Sequence, residues 1–78
     1  MSITNDPAVI IIDYLKNIGK TVEVNTELFT SGILDSLDII DLVLFLEEKY
    51  HIKVPQKSMT LDNFKTPTSI AQLVQTIL

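Results

Sequence analysis

Ser36 lies between Asp35 and Leu37, with Asp38 close behind, at the end of a stretch, Ser31-Gly32-Ile33-Leu34, that follows no helical period. With the single His51 it forms the one Ser/Asp/His set from which a hydrolytic triad could be drawn. A triad needs its members within hydrogen-bond reach. If Ser36 and His51 open and close one helix, a rise of 1.5 Å per residue separates them by about 22 Å, which excludes that chemistry. His51 then reads as a solvated helix-end residue. A metal centre fails too: there is no cysteine, and the acids after Ser36 are spread over several helix faces without histidine companions. They read as a solvated charged face.

Two readings of Ser36 remain. Serine is common at helix starts, where it caps or fills the first turn. That is the reading local context favours; the sharper one is a modification site, where a phosphate ester on its oxygen would meet free backbone N–H groups and the positive end of the helix dipole. Asp35 and Asp38 oppose an anion at short range, so they suit recognition of the site by a basic enzyme better than simple anion binding.

The elements that must present this serine follow from pattern. Asp6 and Pro7 read as a cap and first helical residue, and a helix is expected to about Ile18, with Ala8, Ile11, Tyr14, Leu15 and Ile18 inward and Gly19 as its C-terminal cap. From Gly19 to Leu34 no helical period holds. Val22, Val24, Leu28, Phe29, Ile33 and Leu34 supply apolar anchors for a connection long enough to suggest a functional role.

A second helix should start at Asp35, with Asp38 echoing a capping box, and run to about Tyr50. At about 100° per residue, Ile39, Leu42, Val43, Leu46 and Tyr50 share the core stripe. Leu37, Ile40 and Leu44 form a second stripe, more than about 90° away, among Asp41, Glu47 and Glu48. Such a helix needs a second apolar neighbour besides the core. Phe45 fits neither stripe.

Ile52 to Pro55 reads as extended. One or two brief helical turns between Gln56 and Phe64 are expected, anchored by Met59, Leu61 and Phe64. Thr66 and Pro67 open a last helix carrying Ile70, Leu73, Val74 and Ile77. The fold expected is all-α, a bundle of three main helices and one short helix with a long first loop, in a single domain spanning residues 1–78.

Composition bounds the function. The 78 residues are 46% hydrophobic and 21% charged, ordinary for one globular domain. Ten acids against six lysines give a net charge of −4, which speaks against nucleic acid or anionic lipid and for a basic partner surface. The absence of cysteine suits a reducing cytosol. The longest apolar runs, 8–12 and 42–46, are far shorter than the roughly 18 residues of a membrane span, and Met1 to Asp6 shows no export signal.

Leu28-Phe29-Thr30-Ser31-Gly32-Ile33-Leu34-Asp35-Ser36-Leu37 resembles the prosthetic-group motif of acyl carrier proteins, with Asp35-Ser36-Leu37 as its core. Leu46 to Tyr50 with Ile52 to Pro55 is similar to the family's end of the second helix, and Asn63-Phe64 with Thr66 to its approach to the last. The likeness implies an acyl-carrier-like four-helix bundle in the cytoplasm, a monomer that is not itself an enzyme. Ser36 would receive 4′-phosphopantetheine from coenzyme A through a phosphopantetheinyl transferase, and the arm's thiol would hold a cargo as a thioester. An acyl- or aminoacyl-loading ligase and downstream synthase or transferase enzymes are the further partners implied. Asp35, Leu37, Asp38, Ile40, Asp41, Leu44, Glu47 and Glu48 would dock them, the leucines and isoleucine by contact and the acids by steering. Thr60 to Phe64 looks more like free-standing carriers served by adenylating ligases, or those of polyketide and peptide assembly, than like the fatty-acid carrier. Aminoacyl, hydroxyacyl, polyketide and fatty-acyl cargoes all stay open. The alternative is a small helical interaction module without a prosthetic group, docking through the same second stripe.

Overall fold

Asp6 opens the first helix by accepting a 3.0 Å hydrogen bond from the Ala8 N–H, and Pro7 takes the first helical position, where its missing donor costs nothing. This is the start of the chain described by the computed structural model, which covers residues 6–78. The absence of an export signal was read mostly from residues 1–5, outside the described residues. Helix α1 spans Pro7–Asn17, α2 Ser36–Tyr50 and α3 Pro67–Ile77, with a 3-10 turn at Gln56–Ser58. Among the described residues there is no strand, and no helix is long and apolar enough to cross a membrane. The expected all-α order is therefore observed.

The core is built from facing stripes. Ile11 and Leu15 of α1, Leu42 and Leu46 of α2, and Ile70 and Val74 of α3 are buried, joined by Leu28 and Leu34 from the long connection and by Phe64. Ile39 and Val43 complete the inner face of α2. Its outer stripe is in water as expected: Leu37 is 71%, Leu44 58% and Ile40 47% exposed.

Four expectations are corrected. Ile18 is exposed because α1 ends at Asn17, and Ile18 leaves the helix at φ −102° and ψ 16°, so it loses the phase that aligned it with Ile11 and Leu15. Val24 is exposed; its carbonyl is what the fold uses, accepting from the N–H (3.1 Å) and hydroxyl (2.8 Å) of Thr68. Met59 and Leu61 also face water, since the 3-10 turn stops at Ser58 and the following turns bury only Phe64. Phe45, which fitted neither stripe, stacks on Tyr14 with ring centroids 4.5 Å apart, and so closes the seam between α1 and α2.

The division of α2 into two faces predicts unequal costs. Leu46→Ala should lower unfolding free energy by about 2 to 5 kcal/mol, whereas Leu44→Ala should stay within about 0.5 kcal/mol of the parent. Chemical denaturation of the two variants checks this, and equal losses would show that the outer leucine belongs to the core.

Candidate functional site

Ser36 is placed by what precedes it. Gly32 turns the chain at φ +78°, a left-handed conformation that favours glycine, and its N–H donates to the Phe29 carbonyl at 3.0 Å. The Leu34 N–H returns to the Leu28 carbonyl at 2.9 Å, so two buried leucines close a small loop around Phe29 to Ile33. The loop is held from outside too, by the Leu28 N–H donating to the Lys65 carbonyl at 2.9 Å. With Leu34 inward, the next residues emerge at the surface, and α2 starts there.

The capping is done by Asp35, not by the serine. Its carboxylate accepts from the Asp38 N–H at 3.0 Å, and the Asp38 carboxylate accepts from the Asp35 N–H at 3.2 Å, a reciprocal box. Ser36 is then the first helical residue, exposed, and its hydroxyl makes no hydrogen bond among the described residues. The capping role that a helix-start serine ordinarily has is already filled. What remains is an accessible hydroxyl at the positive end of a helix, which suits a covalently attached phosphate ester.

The Asp35 carboxyl is held below its ordinary value of 3.8, above all by the hydrogen bond from the Asp38 backbone. Slight desolvation opposes this; the Asp38 side chain, the Leu37 backbone and the charge of Lys20 add to it. No metal-binding cluster exists among the described residues.

The other expected site residues lie on α2. Leu37, Ile40, Asp41, Leu44 and Glu48 are exposed along its outer side, with Asp38 half-buried at the α1 flank. Glu47 has a task that its spacing did not reveal. Its carboxylate accepts from the Val54 N–H at 2.8 Å while its carbonyl accepts from the N–H groups of His51 and Ile52. It thus pins the turn after α2, where His51 sits at φ 56°. Sequence reasoning missed Phe29, Met59 and Leu61 as neighbours of the serine: together with Ile40 they line a depression that Ser36 itself borders. The available signal was two apolar residues, Met59 and Leu61, in a stretch with no period to bury them.

Comparison with known proteins fits this geometry. A family model described as a phosphopantetheine attachment site matches residues 9–74. A D-alanyl carrier protein of Leuconostoc citreum (strain KM20) is 30% identical over 63 residues, covering 78% of this chain and 81% of that protein. One from Streptococcus pyogenes serotype M5 is 41% identical over 49 residues, covering 63% of this chain and 62% of that protein. No solved structure matches the chain significantly. The chain belongs to the phosphopantetheine attachment family: it is a carrier protein with a covalently attached 4′-phosphopantetheine and is not itself an enzyme. That sets aside the interaction module without a prosthetic group. The arm supplies the thiol that a chain without cysteine lacks.

The cap has a pH signature. Because the folded state holds the Asp35 proton less tightly than the unfolded chain, the ionised carboxylate stabilises the fold above the unfolded value near 3.8, and this contribution is lost as the pH falls through the lower folded value. Asparagine can keep the capping acceptor without titrating. Asp35→Asn should therefore differ in melting temperature from the parent at neutral pH, and the gap should shrink as the pH falls below about 4. A gap that stays constant across a series of thermal melts would count against this role.

Proposed function

We propose that this carrier receives its arm on Ser36, from coenzyme A through a phosphopantetheinyl transferase, and carries an aminoacyl group, D-alanyl in the first instance, as a thioester between a loading ligase and a downstream transferase. The observation that carries the assignment is the exposed, unbonded hydroxyl of Ser36 at the first position of α2, released from capping by Asp35. The cargo rests on the relatives, both D-alanyl carrier proteins by name. Coenzyme A and its transferase make the cytoplasm the place of loading, and a monomer suits a shuttle that visits several enzymes in turn.

The partner surface in this reading is the outer side of α2. Leu37, Ile40 and Leu44 give contact, while Asp35, Asp38, Asp41 and Glu48 give approach, with the charge of Glu47 acting from the far end. Exposed acids raise the encounter rate and fade with salt; an apolar residue desolvated within a small interface lengthens the life of the complex. Weak, fast-releasing docking is what such a carrier needs, because its cargo is delivered by a tether and not by affinity.

Ser36→Ala should stay folded and gain no mass when incubated with coenzyme A and a competent transferase, whereas the parent gains one phosphopantetheine. A folded parent chain that stays unmodified at Ser36 refutes the assignment. For docking, Asp41→Lys and Glu48→Lys should slow association with the transferase and flatten its salt dependence. Ile40→Ala and Leu44→Ala should mainly hasten dissociation. Stopped-flow binding at several salt concentrations separates the two; charge reversals without effect at low salt would place the partner surface elsewhere.

A further inference from the structure

Two adjacent acids near the end of α2 have different surroundings. Glu48 is exposed and its carboxylate makes no hydrogen bond among the described residues, whereas Glu47 is half-buried and its carboxylate accepts from the Val54 N–H at 2.8 Å. The Glu47 carbonyl also accepts from the Ile52 N–H at 3.1 Å. One residue therefore fastens both ends of the stretch from Ile52 to Val54, just after His51 has turned the chain out of α2 at φ 56°. Between this stretch and the last turns of α2 lies a depression of about 480 Å³. Leu44, Glu48 and His51, spaced i, i+4, i+7, form its helical wall, and Ile52 and Lys53 form the other. Leu44, 58% exposed, belongs both to this depression and to the outer stripe of α2.

We propose that Glu47 is a positioning residue for docking of the phosphopantetheinyl transferase: by holding Ile52 to Val54 in place it supplies a ready-made second wall beside Leu44, against which an apolar side chain of the transferase rests. The inference rests on the outer side of α2 being the docking surface. The wall has no sheet to order it, since there is no strand among the described residues, and the Val54 N–H has no other partner there. Without the carboxylate, the wall would have to be ordered at the moment of contact, a cost that shortens the life of the complex. The charge of Glu47 and its reach are thus separate contributions. Charge acts on approach and fades with salt, as it does for Glu48. Reach acts on the bound state. Eleven residues of helix place Glu47 about 16 Å from Ser36, so neither contribution touches the reacting hydroxyl.

Two conservative variants separate them. Glu47→Gln keeps the acceptor and removes the charge; Glu47→Asp keeps the charge but is one methylene too short to reach Val54. Glu48→Gln and Glu48→Asp serve as controls, and thermal melts report that all four are folded. In stopped-flow binding to the transferase, Glu47→Asp should associate like the parent and dissociate roughly two- to tenfold faster, the worth of about one hydrogen bond. Glu47→Gln should associate more slowly at low salt and dissociate like the parent. Both Glu48 variants should dissociate like the parent. Amide hydrogen exchange should show Val54 protected in Glu47→Gln and unprotected in Glu47→Asp. If Val54 loses protection in Glu47→Asp while dissociation stays at the parent rate, the wall is structural only and the proposal fails; it fails equally if Val54 stays protected there. Leu44→Ala tells this failure from that of the docking surface. Faster dissociation of Leu44→Ala with Glu47→Asp unchanged overturns the positioning role alone, whereas parent-like dissociation of Leu44→Ala overturns docking at this end of α2 and the positioning role with it.

Discussion

The fastening of the long first connection is the constraint on which the rest depends. Between α1 and α2 the chain has no repeating hydrogen bonds of its own, so its backbone groups need partners elsewhere. It finds them at the first turn of α3, where the Val24 carbonyl accepts twice from Thr68, and just before that helix, where the Leu28 N–H donates to the Lys65 carbonyl. Buried Val22, Leu28 and Leu34 hold the same stretch from within. With those points fixed, the start of α2 cannot drift, and the hydroxyl of Ser36 is presented at one place on the surface. A loop that would otherwise be mobile serves here as a mount.

Helix α2 then divides its circumference among three tasks. One side enters the core through Ile39, Leu42, Val43 and Leu46. One flank meets α1 through the Phe45 and Tyr14 stack. The remainder faces water with its leucines and acids. Charged groups contribute at both ends of this rod: the Asp35 and Asp38 pair closes the first turn, and Glu47 ties down the segment that follows the last. Acids that look interchangeable in composition are therefore not equivalent. Asp41 and Glu48 make no side-chain hydrogen bond among the described residues, whereas Asp38 and Glu47 also hold backbone.

How much of this was legible depended on whether a residue sat inside a regular element. The two stripes of α2 follow from helical period alone, and the burial of Leu42 beside the exposure of Leu44 agrees with it. The caps at Asp6, Asp35 and Thr66 were equally legible, since each is a short polar residue placed just before its helix. Period says nothing once the helix stops. Ile18 lies one residue past α1 and turns outward, and Met59 and Leu61 follow a 3-10 turn too short to set a phase. The serine was identifiable from its neighbours, but the depression beside it was not, because its walls come from three separate stretches of chain. The partner of Phe45 was hidden for the same reason: a stack between helices leaves no mark in local spacing.

The seam between α1 and α2 also has an optical side. The chain has no tryptophan and two tyrosines, so its near-ultraviolet signal comes mainly from Tyr14 and Tyr50. Burial raises the phenol pKa of both, but the second influence differs: the carboxylates of Asp41 and Asp38 act on Tyr14, and that of Asp6 acts on Tyr50. A cation brought close to Asp41 or Asp38 would offset part of the field felt by Tyr14. Tyr14 on α1 and Tyr50 at the end of α2 thus sit in different electrostatic surroundings, and their absorption reports on two separate parts of the fold.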